Sequence, residues 1–285
     1  MTELPFYFRR DDKSLFAVAH EPAAGAVPSP LGFVFSHPFG EEKLWSHRVF
    51  VTFARELAVR GHYVLRFDYT GAGDSTGATE QASLETHLAD LGAAIGQLQT
   101  RYARVRRIGL VGLRLGATFA ALFAERASDA GSFDCIRRAP LVLWDPILDG
   151  DSYFQELLRS NLSTQLSVFG KVVENREALV ERIRAGGTAN VDGYEIGSSL
   201  LESCARADLL SRARLKHDGP CLVVQVAASE KQKTRDELAE LAQACADGRF
   251  MRAIEQPFWR EIKPFYGRAP SLQSVTLEWL EQHRA

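Results

Sequence analysis

Apolar and polar positions follow two periods along the chain, one typical of buried strands and the other of amphipathic helices. Short apolar runs bounded by turn residues predict buried strands at 32–39, 63–69, 106–113, 139–147 and 220–228. Apolar residues at helical spacing follow the first three runs and predict helices over 48–61, 85–102 and 115–127. This alternation predicts an α/β fold with a mostly parallel central sheet and helices on both faces.

The two ends of the chain extend this pattern. Two β-rich runs flank the charged turn Asp11-Asp12-Lys13 and predict an N-terminal hairpin. Near the C-terminus, the sequence predicts a helix, a strand and a final helix over 237–248, 249–258 and 270–284.

Residues 150–215 interrupt the alternation, because three helical stretches follow one another there. The interruption comes after the sixth predicted strand, near the edge where the strands end. Ligand sites of open α/β sheets lie at that edge, so we expect a helical cap over it. The predicted organisation is a core of residues 1–149 and 216–285 with a cap of residues 150–215.

Composition narrows the class of protein. The 285 residues are 46% hydrophobic and 25% charged, with a net charge of -2, which favours no attraction to nucleic acid or membranes. We expect no signal peptide and no membrane span. The four cysteines are scattered singly, so we expect no disulfide framework, no metal and a cytoplasmic location. Nothing indicates a cofactor, and the oligomeric state stays open.

The stretch "GLRLGA" at 112–117 carries the chemistry of the chain. It joins a predicted strand to a predicted helix with the spacing Gly-x-Ser-x-Gly, the turn that presents a catalytic serine in many hydrolases. Its central residue is Arg114. A guanidinium is protonated at all ordinary pH and cannot attack a carbonyl carbon.

The motifs "SHPFG", "RFDYTGAGDS", "GLRLGA" and "LVLWDP" resemble the α/β-hydrolase fold in order and spacing, over nearly the whole chain. "HPFGEEK" and "LWDPILDG" are similar to a bacterial serine aminopeptidase-like subgroup that includes hydrolase-like proteins of exosortase and polysaccharide loci. The resemblance implies that "SHPFG" forms part of an oxyanion loop. It also implies a pocket between this loop, the turn around Arg114 and the last loop, with substrate contacts from the following residues: Phe39, Gly40, Glu41, Leu113, Leu115 and Trp259.

The catalytic triad of that family is incomplete in this sequence. Arg114 occupies the nucleophile position, and Glu230 in "AASEKQ" is the possible acid. The stretch "EQPFWREIKPF", where the family has its histidine, contains none, and His283 lies too close to the chain end. The loss of both nucleophile and base predicts that acyl-enzyme chemistry is absent.

Two roles for Arg114 follow from its position at a helix N-terminus, where a cation is disfavoured. In the first, Arg114 forms an internal ion pair with Asp145, Glu230 or Glu41. In the second, it clamps a carboxylate, phosphate or sulfate of a ligand. Both roles predict a guanidinium that is at least half buried.

Three functions remain open. The first is a pseudo-hydrolase whose pocket binds an anionic or acylated small molecule in a polysaccharide or natural-product pathway, or holds a partner enzyme. The second is an active ester, thioester or amide hydrolase or an acyltransferase. In that case Arg114 stabilises negative charge, and Glu41, Asp145, Glu230 or His37 activates water. The third is a protein-binding scaffold without a ligand. His37 also has a simple structural reading, as a residue that fixes its loop.

Overall fold

The computed structural model describes residues 2–211, 215–260 and 267–283. Within these residues, eight strands form one sheet: β1 (Glu3–Arg10), β2 (Lys13–His20), β3 (Leu31–Ser36), β4 (Val64–Phe67), β5 (Arg107–Leu113), β6 (Leu141–Trp144), β9 (Pro220–Ala227) and β10 (Asp247–Ile254). A separate hairpin pairs β7 (Ala189–Val191) with β8 (Tyr194–Ile196).

The sheet is parallel except at one edge. The strand order is β1-β2-β4-β3-β5-β6-β9-β10, and only the β1/β2 and β2/β4 pairs are antiparallel. In the centre, Val34 lies beside Leu110, which lies beside Leu141. The mostly parallel sheet that the sequence predicts is therefore confirmed.

The helices of the described residues are α1 (Glu41–Val59), α2 (Leu84–Arg101), α3 (Leu115–Ala130), α4 (Asp134–Arg137), α5 (Gly150–Phe169), α6 (Arg176–Arg184), α7 (Ser198–Arg206), α8 (Asp236–Ala244) and α9 (Pro270–Gln282), with a short 3-10 turn at Thr79–Gln81. Buried residues of α2, α3 and α8 belong to one apolar cluster, and those of α1 and α9 belong to another. Neighbouring residues of β5 enter opposite clusters, Leu110 the first and Val111 the second, because side chains alternate along a strand. Helices thus cover both faces of the sheet.

Local sequence signals set several helix ends. The Ser83 hydroxyl accepts a hydrogen bond from the Thr86 amide and caps α2, and Asp149 caps α5 in the same way. Gly61 follows α1 with a φ of 90°, in agreement with its predicted position just past a helix end. The predicted start of this helix at residue 48 is wrong, since α1 begins at Glu41. Residues 41–47 show little apolar periodicity, so the pattern did not reveal the first turns.

The segment between β6 and β9 contains α5, α6, the β7–β8 hairpin and α7, and it has an apolar cluster of its own. The sequence predicts helices here but not the hairpin. The segment contacts loops at the C-terminal edge of the sheet: Tyr194 packs beside Phe39, which follows β3, and Tyr153 bonds to Glu42 in α1. No helix in the described parts of the chain is both long enough and apolar enough to traverse a bilayer.

Candidate ligand-binding site

Arg114 forms the turn between β5 and α3. Its backbone has a φ of 54° and a ψ of -126°, a strained conformation for any residue other than glycine. Two glycines make the turn possible, because a Cβ at Gly112 would overlap the backbone of Ala117, and one at Gly116 would overlap the carbonyl oxygen of Ser36. The Arg114 amide donates to the carbonyl oxygen of Trp144, which ties the turn to β6.

The Arg114 side chain is 8% exposed and lies between two carboxylates. Its Nε donates to Glu42 Oε1 at 3.0 Å, and its Nη1 donates to Asp145 Oδ1 at 3.4 Å. The Tyr153 hydroxyl donates to the other oxygen of Glu42 at 3.1 Å. The predicted burial of Arg114 and its pairing with Asp145 agree with the structure, whereas Glu42, an unexpected partner, makes the shorter contact.

Asp145 is held independently of Arg114. Its Oδ1 also accepts from Arg235 Nη1 at 2.9 Å, and its Oδ2 accepts from the Val226 amide at 3.1 Å. We call Glu42, Arg114, Asp145, Tyr153 and Arg235 the Arg114 network. Two cations and two carboxylates balance in this network, so its charged side chains compensate one another.

Burial and pairing act in opposite directions on the network. Burial disfavours the charged guanidinium of Arg114, but Glu42 and Asp145 outweigh that effect and hold its pKa above the ordinary value. Burial raises the pKa of Glu42, although Arg114 partly opposes the rise. The ring of Trp259 lies 5.3 Å from the Arg114 guanidinium carbon, and that of Tyr153 lies 5.8 Å from it, so aromatic faces complete the enclosure.

The other predicted acids do not pair with Arg114. Glu41 borders a cleft of about 410 Å³ together with Glu42 and Trp259, and burial raises its pKa. Glu230 is exposed in the loop after β9 and forms no recorded bond to Arg114. Arg114 itself lies at one side of a cleft of about 390 Å³, which Arg235 and Arg260 also line.

A second space lies beside the turn, on the side of β4. This apolar cavity has a volume of about 200 Å³. Four aromatic side chains line it, together with small residues and three histidines, and its lining includes His37, Phe39, Gly40, Tyr69, Ala72, Ala82, His87, Phe119 and Tyr194. Of the predicted substrate-binding residues, Phe39 and Gly40 reach this cavity. Leu113 and Leu115 are fully buried in the core, so only their backbone could face a ligand.

Histidines in the cavity wall are held in the neutral form. His37 is 2% exposed, and burial, followed by the charges of Lys43 and Arg66, holds its pKa well below the ordinary value. His87 stacks on Phe119 at 4.8 Å, and burial lowers its pKa to about 4. His37 therefore lies in the cavity wall, whereas Arg114, Asp145 and Glu42 meet on the other side of the turn.

Sequence reasoning missed Glu42, Tyr153 and Arg235 in the network and Tyr69, His87, Phe119 and Tyr194 in the cavity. One available signal was the acidic pair just after Gly40, which is typical of a first helical turn. Across the described ranges, no three side chains of the histidine, cysteine or acidic kind lie together in a way that would hold a metal ion.

Comparison with known proteins identifies the family. The family described as serine aminopeptidase, S33, matches residues 34–194, which is more than half of the chain. The chain belongs to this S33 family. No curated protein sequence matches it.

Solved structures that are similar to this chain agree with its place in the α/β-hydrolase superfamily. Est1E from Butyrivibrio proteoclasticus, with ferulic acid bound, is 16% identical over 97% of this chain and 98% of its own, with a TM-score of 0.66. A malate-bound thermophilic esterase from Thermogutta terrifontis is 16% identical over the full length of both chains, with a TM-score of 0.60. Proline iminopeptidase from Mycobacterium smegmatis is 14% identical over 99% of both chains, also with a TM-score of 0.60. The S33 member described here thus has the α/β-hydrolase fold.

Proposed function

We propose that this S33 member is a pseudo-hydrolase: it binds a small acylated or aromatic molecule in the apolar cavity and does not form an acyl-enzyme. The observation that carries the proposal is the pairing of Arg114 with Glu42 and Asp145 at the turn where hydrolases present their nucleophile. A guanidinium cannot attack, and this one is neutralised from both sides. Arg114 then acts as an internal anchor.

Two serines, one in "SHPFG" and the other in "RFDYTGAGDS", support the same conclusion. Ser36 Oγ donates to the Gly116 carbonyl oxygen at 2.6 Å and lies 2.6 Å from the Tyr69 hydroxyl. Ser75 Oγ donates to the Asp68 carbonyl oxygen and accepts from the Phe16 amide. Both hydroxyls therefore hold loops together, and within the described residues neither forms a hydrogen bond with a histidine that would remove its proton.

The size and lining of the apolar cavity support a small, largely apolar ligand. Small-molecule pockets usually measure roughly 300–1,000 Å³, and this cavity of about 200 Å³ suits a short acyl chain or a single ring. Phe39, Tyr69, Phe119 and Tyr194 supply apolar walls. Tyr194 comes from the segment between β6 and β9, which we propose acts as the cap of the site.

A fluorophosphonate probe tests the loss of chemistry. We expect no labelling of the purified protein and no turnover of p-nitrophenyl acetate or butyrate, with an active serine hydrolase as the positive control. Arg114→Ser restores a serine but supplies no base, so we expect this variant to stay unlabelled as well. Stoichiometric labelling of any wild-type serine would contradict the proposal, and so would turnover that depends on Glu42 or Asp145.

Binding of a neutral ligand tests the cavity. We expect hexanamide to bind the wild-type protein in calorimetry, and we expect Ala72→Phe, which places a ring in the cavity, to abolish this binding. Ala130→Phe adds the same ring at the exposed end of α3 and is the matched control. Equal binding by the two variants would show that the ligand lies elsewhere.

A further inference from the structure

Arg66 is a buried cation without a matching carboxylate. It lies on β4 and is 8% exposed. Its Nε donates a hydrogen bond to His20 Nε2 at 2.9 Å. Within those residues, no carboxylate oxygen lies within 4.0 Å of its guanidinium, in contrast to the paired Arg114.

The acids that surround Arg66 are engaged by other cations. Glu3 accepts from Arg55 Nε at 2.6 Å, and Asp68 pairs with Lys43 Nζ at 2.7 Å. His20 supplies no compensating charge: burial lowers its pKa to about 4, so its imidazole is neutral at physiological pH. A buried cation without a carboxylate partner lowers the stability of the fold, and a bound anion would reduce this penalty.

Arg66 lines a cavity together with one other cation, Lys43, and two histidines. This Arg66 cavity has a volume of about 200 Å³. Lys43, His37 and His47 line it together with Arg66, and its acids are Asp68, already paired with Lys43, and the exposed Asp74. His37 Nδ1 is buried and has no hydrogen-bond partner among the described residues.

The Arg66 cavity adjoins the apolar cavity. His37, Lys43, His47 and Gly73 line both spaces, so they form a shared wall. An elongated molecule with one charged end could occupy the two spaces together. Its apolar part would contact Phe119 and Tyr194, and its charged end would lie against Arg66.

We infer that Arg66 binds the acidic group, a carboxylate or a phosphate monoester, of a ligand whose apolar part occupies the apolar cavity. This inference rests on the proposed function, because it assigns the charge of the ligand that the apolar cavity takes. Lys43 and His47 are placed to contribute further hydrogen-bond donors.

Calorimetric titration with matched probes tests this assignment. Hexanoate, hexyl phosphate and hexanamide share one apolar chain, and inorganic phosphate lacks it. We expect one of the two acids to bind the wild-type protein about tenfold or more tightly than hexanamide, since a charge-assisted hydrogen bond is added. The tighter acid identifies the acidic group.

Variants of Arg66 decide which cation is responsible. We expect Arg66→Gln and Arg66→Met to remove the preference for the acid while hexanamide binding is unchanged, and we expect Arg66→Lys to keep part of the preference. Unchanged hexanamide binding also verifies that the variants fold. Arg48→Gln removes an exposed arginine of α1 and is the matched control.

The possible failures are distinguishable. Equal affinity of the wild type for hexanamide and both acids overturns the Arg66 assignment and leaves the apolar ligand in place. A preference that survives in Arg66→Gln but disappears in Arg114→Gln also overturns it and moves the anion to the turn. Binding of inorganic phosphate through Arg66 without binding of any hexyl probe supports the anion site and overturns the apolar ligand.

Discussion

Replacement of Arg114 by methionine removes the charge at the turn and keeps most of the side-chain volume. The backbone strain at φ 54° is the same for both residues, so it does not contribute to the difference. Two buried carboxylates lose a partner. Asp145 keeps its bonds to Arg235 and the Val226 amide, whereas Glu42 keeps only the Tyr153 hydroxyl among its recorded side-chain partners. The loss therefore falls mainly on Glu42.

The expected magnitude follows from this asymmetry. Removal of one partner of a buried ion pair costs about 3–5 kcal/mol, and the bonds that Asp145 keeps place the present case near the lower end, at about 3 kcal/mol at pH 8. The pKa of Glu42 is already raised by burial and rises further without Arg114. An acid whose folded pKa is raised is penalised at high pH and takes up its proton as the pH falls. The destabilisation should thus shrink between pH 8 and pH 5.

Urea denaturation of four proteins measures this effect: wild type, Arg114→Met, Glu42→Gln and the double variant. We expect the double variant to be more stable than Arg114→Met at pH 8, because no uncompensated charge remains at position 42. Arg126→Met, on the α3 helix that follows Arg114, is the matched control. The pair of Arg126 with Glu85 is about half exposed, so it should contribute less than about 1 kcal/mol to the free energy of unfolding.

Two results would refute the reasoning about the anchor. The first is a loss for Arg114→Met that is no larger than that of the Arg126 control. The second is a double variant whose destabilisation equals the sum of the two single variants at pH 8, since independent sites add and contacting partners do not. Either result would mean that the 3.0 Å contact between Arg114 and Glu42 contributes nothing to stability.

Three further outcomes are expected. Burial lowers the pKa of His87 from 6.5 to about 4. The free energy of unfolding should therefore fall by about 1.4 kcal/mol per pH unit through this group as the pH falls from 6.5 towards 4. In urea denaturation, the free energy of unfolding of His87→Gln should depend on pH with a slope that is shallower by this amount. Tyr153→Phe removes the donor to Glu42 and should cost about 1–2 kcal/mol in the same assay, whereas an unchanged midpoint would argue against that bond. Gly116→Ala should lower the melting temperature strongly, because its Cβ would overlap the carbonyl oxygens of Ser36 and His37, while Gly96→Ala, with open space around it, should be neutral or stabilising.

The hydrophobic pattern predicted the sheet because its central strands are buried on both faces and appear as continuous apolar runs. All six residues of β3 are buried, and so are all four of β6. The β7–β8 hairpin escaped prediction because each strand has only three residues, too few for a period of two to stand out. The early start of α1 escaped prediction because its first turns are polar and show little apolar periodicity.

The candidate site was only partly predictable, for a reason of chain topology. The turn around Arg114 is local in sequence, and Asp145 directly follows β6, the strand that pairs with β5, so both followed from the pattern. Glu42 lies 72 positions from Arg114, and the two residues meet only because the fold places the start of α1 beside the turn. The apolar cavity combines His37, Phe119 and Tyr194 from three distant segments, and no periodicity links them.

Charge balance distinguishes the two cationic centres of the molecule. At the turn, Arg114 and Arg235 are matched by Glu42 and Asp145, so an incoming anion would have to displace a carboxylate that is already desolvated. At Arg66, the surrounding acids are engaged by Arg55 and Lys43, and the guanidinium has a neutral imidazole as its partner. An anionic ligand would therefore gain more at Arg66 than at Arg114. We therefore propose that the arginine in the place of the nucleophile stabilises the fold, and that recognition of the ligand shifts to Arg66 on β4, which β3 separates from β5.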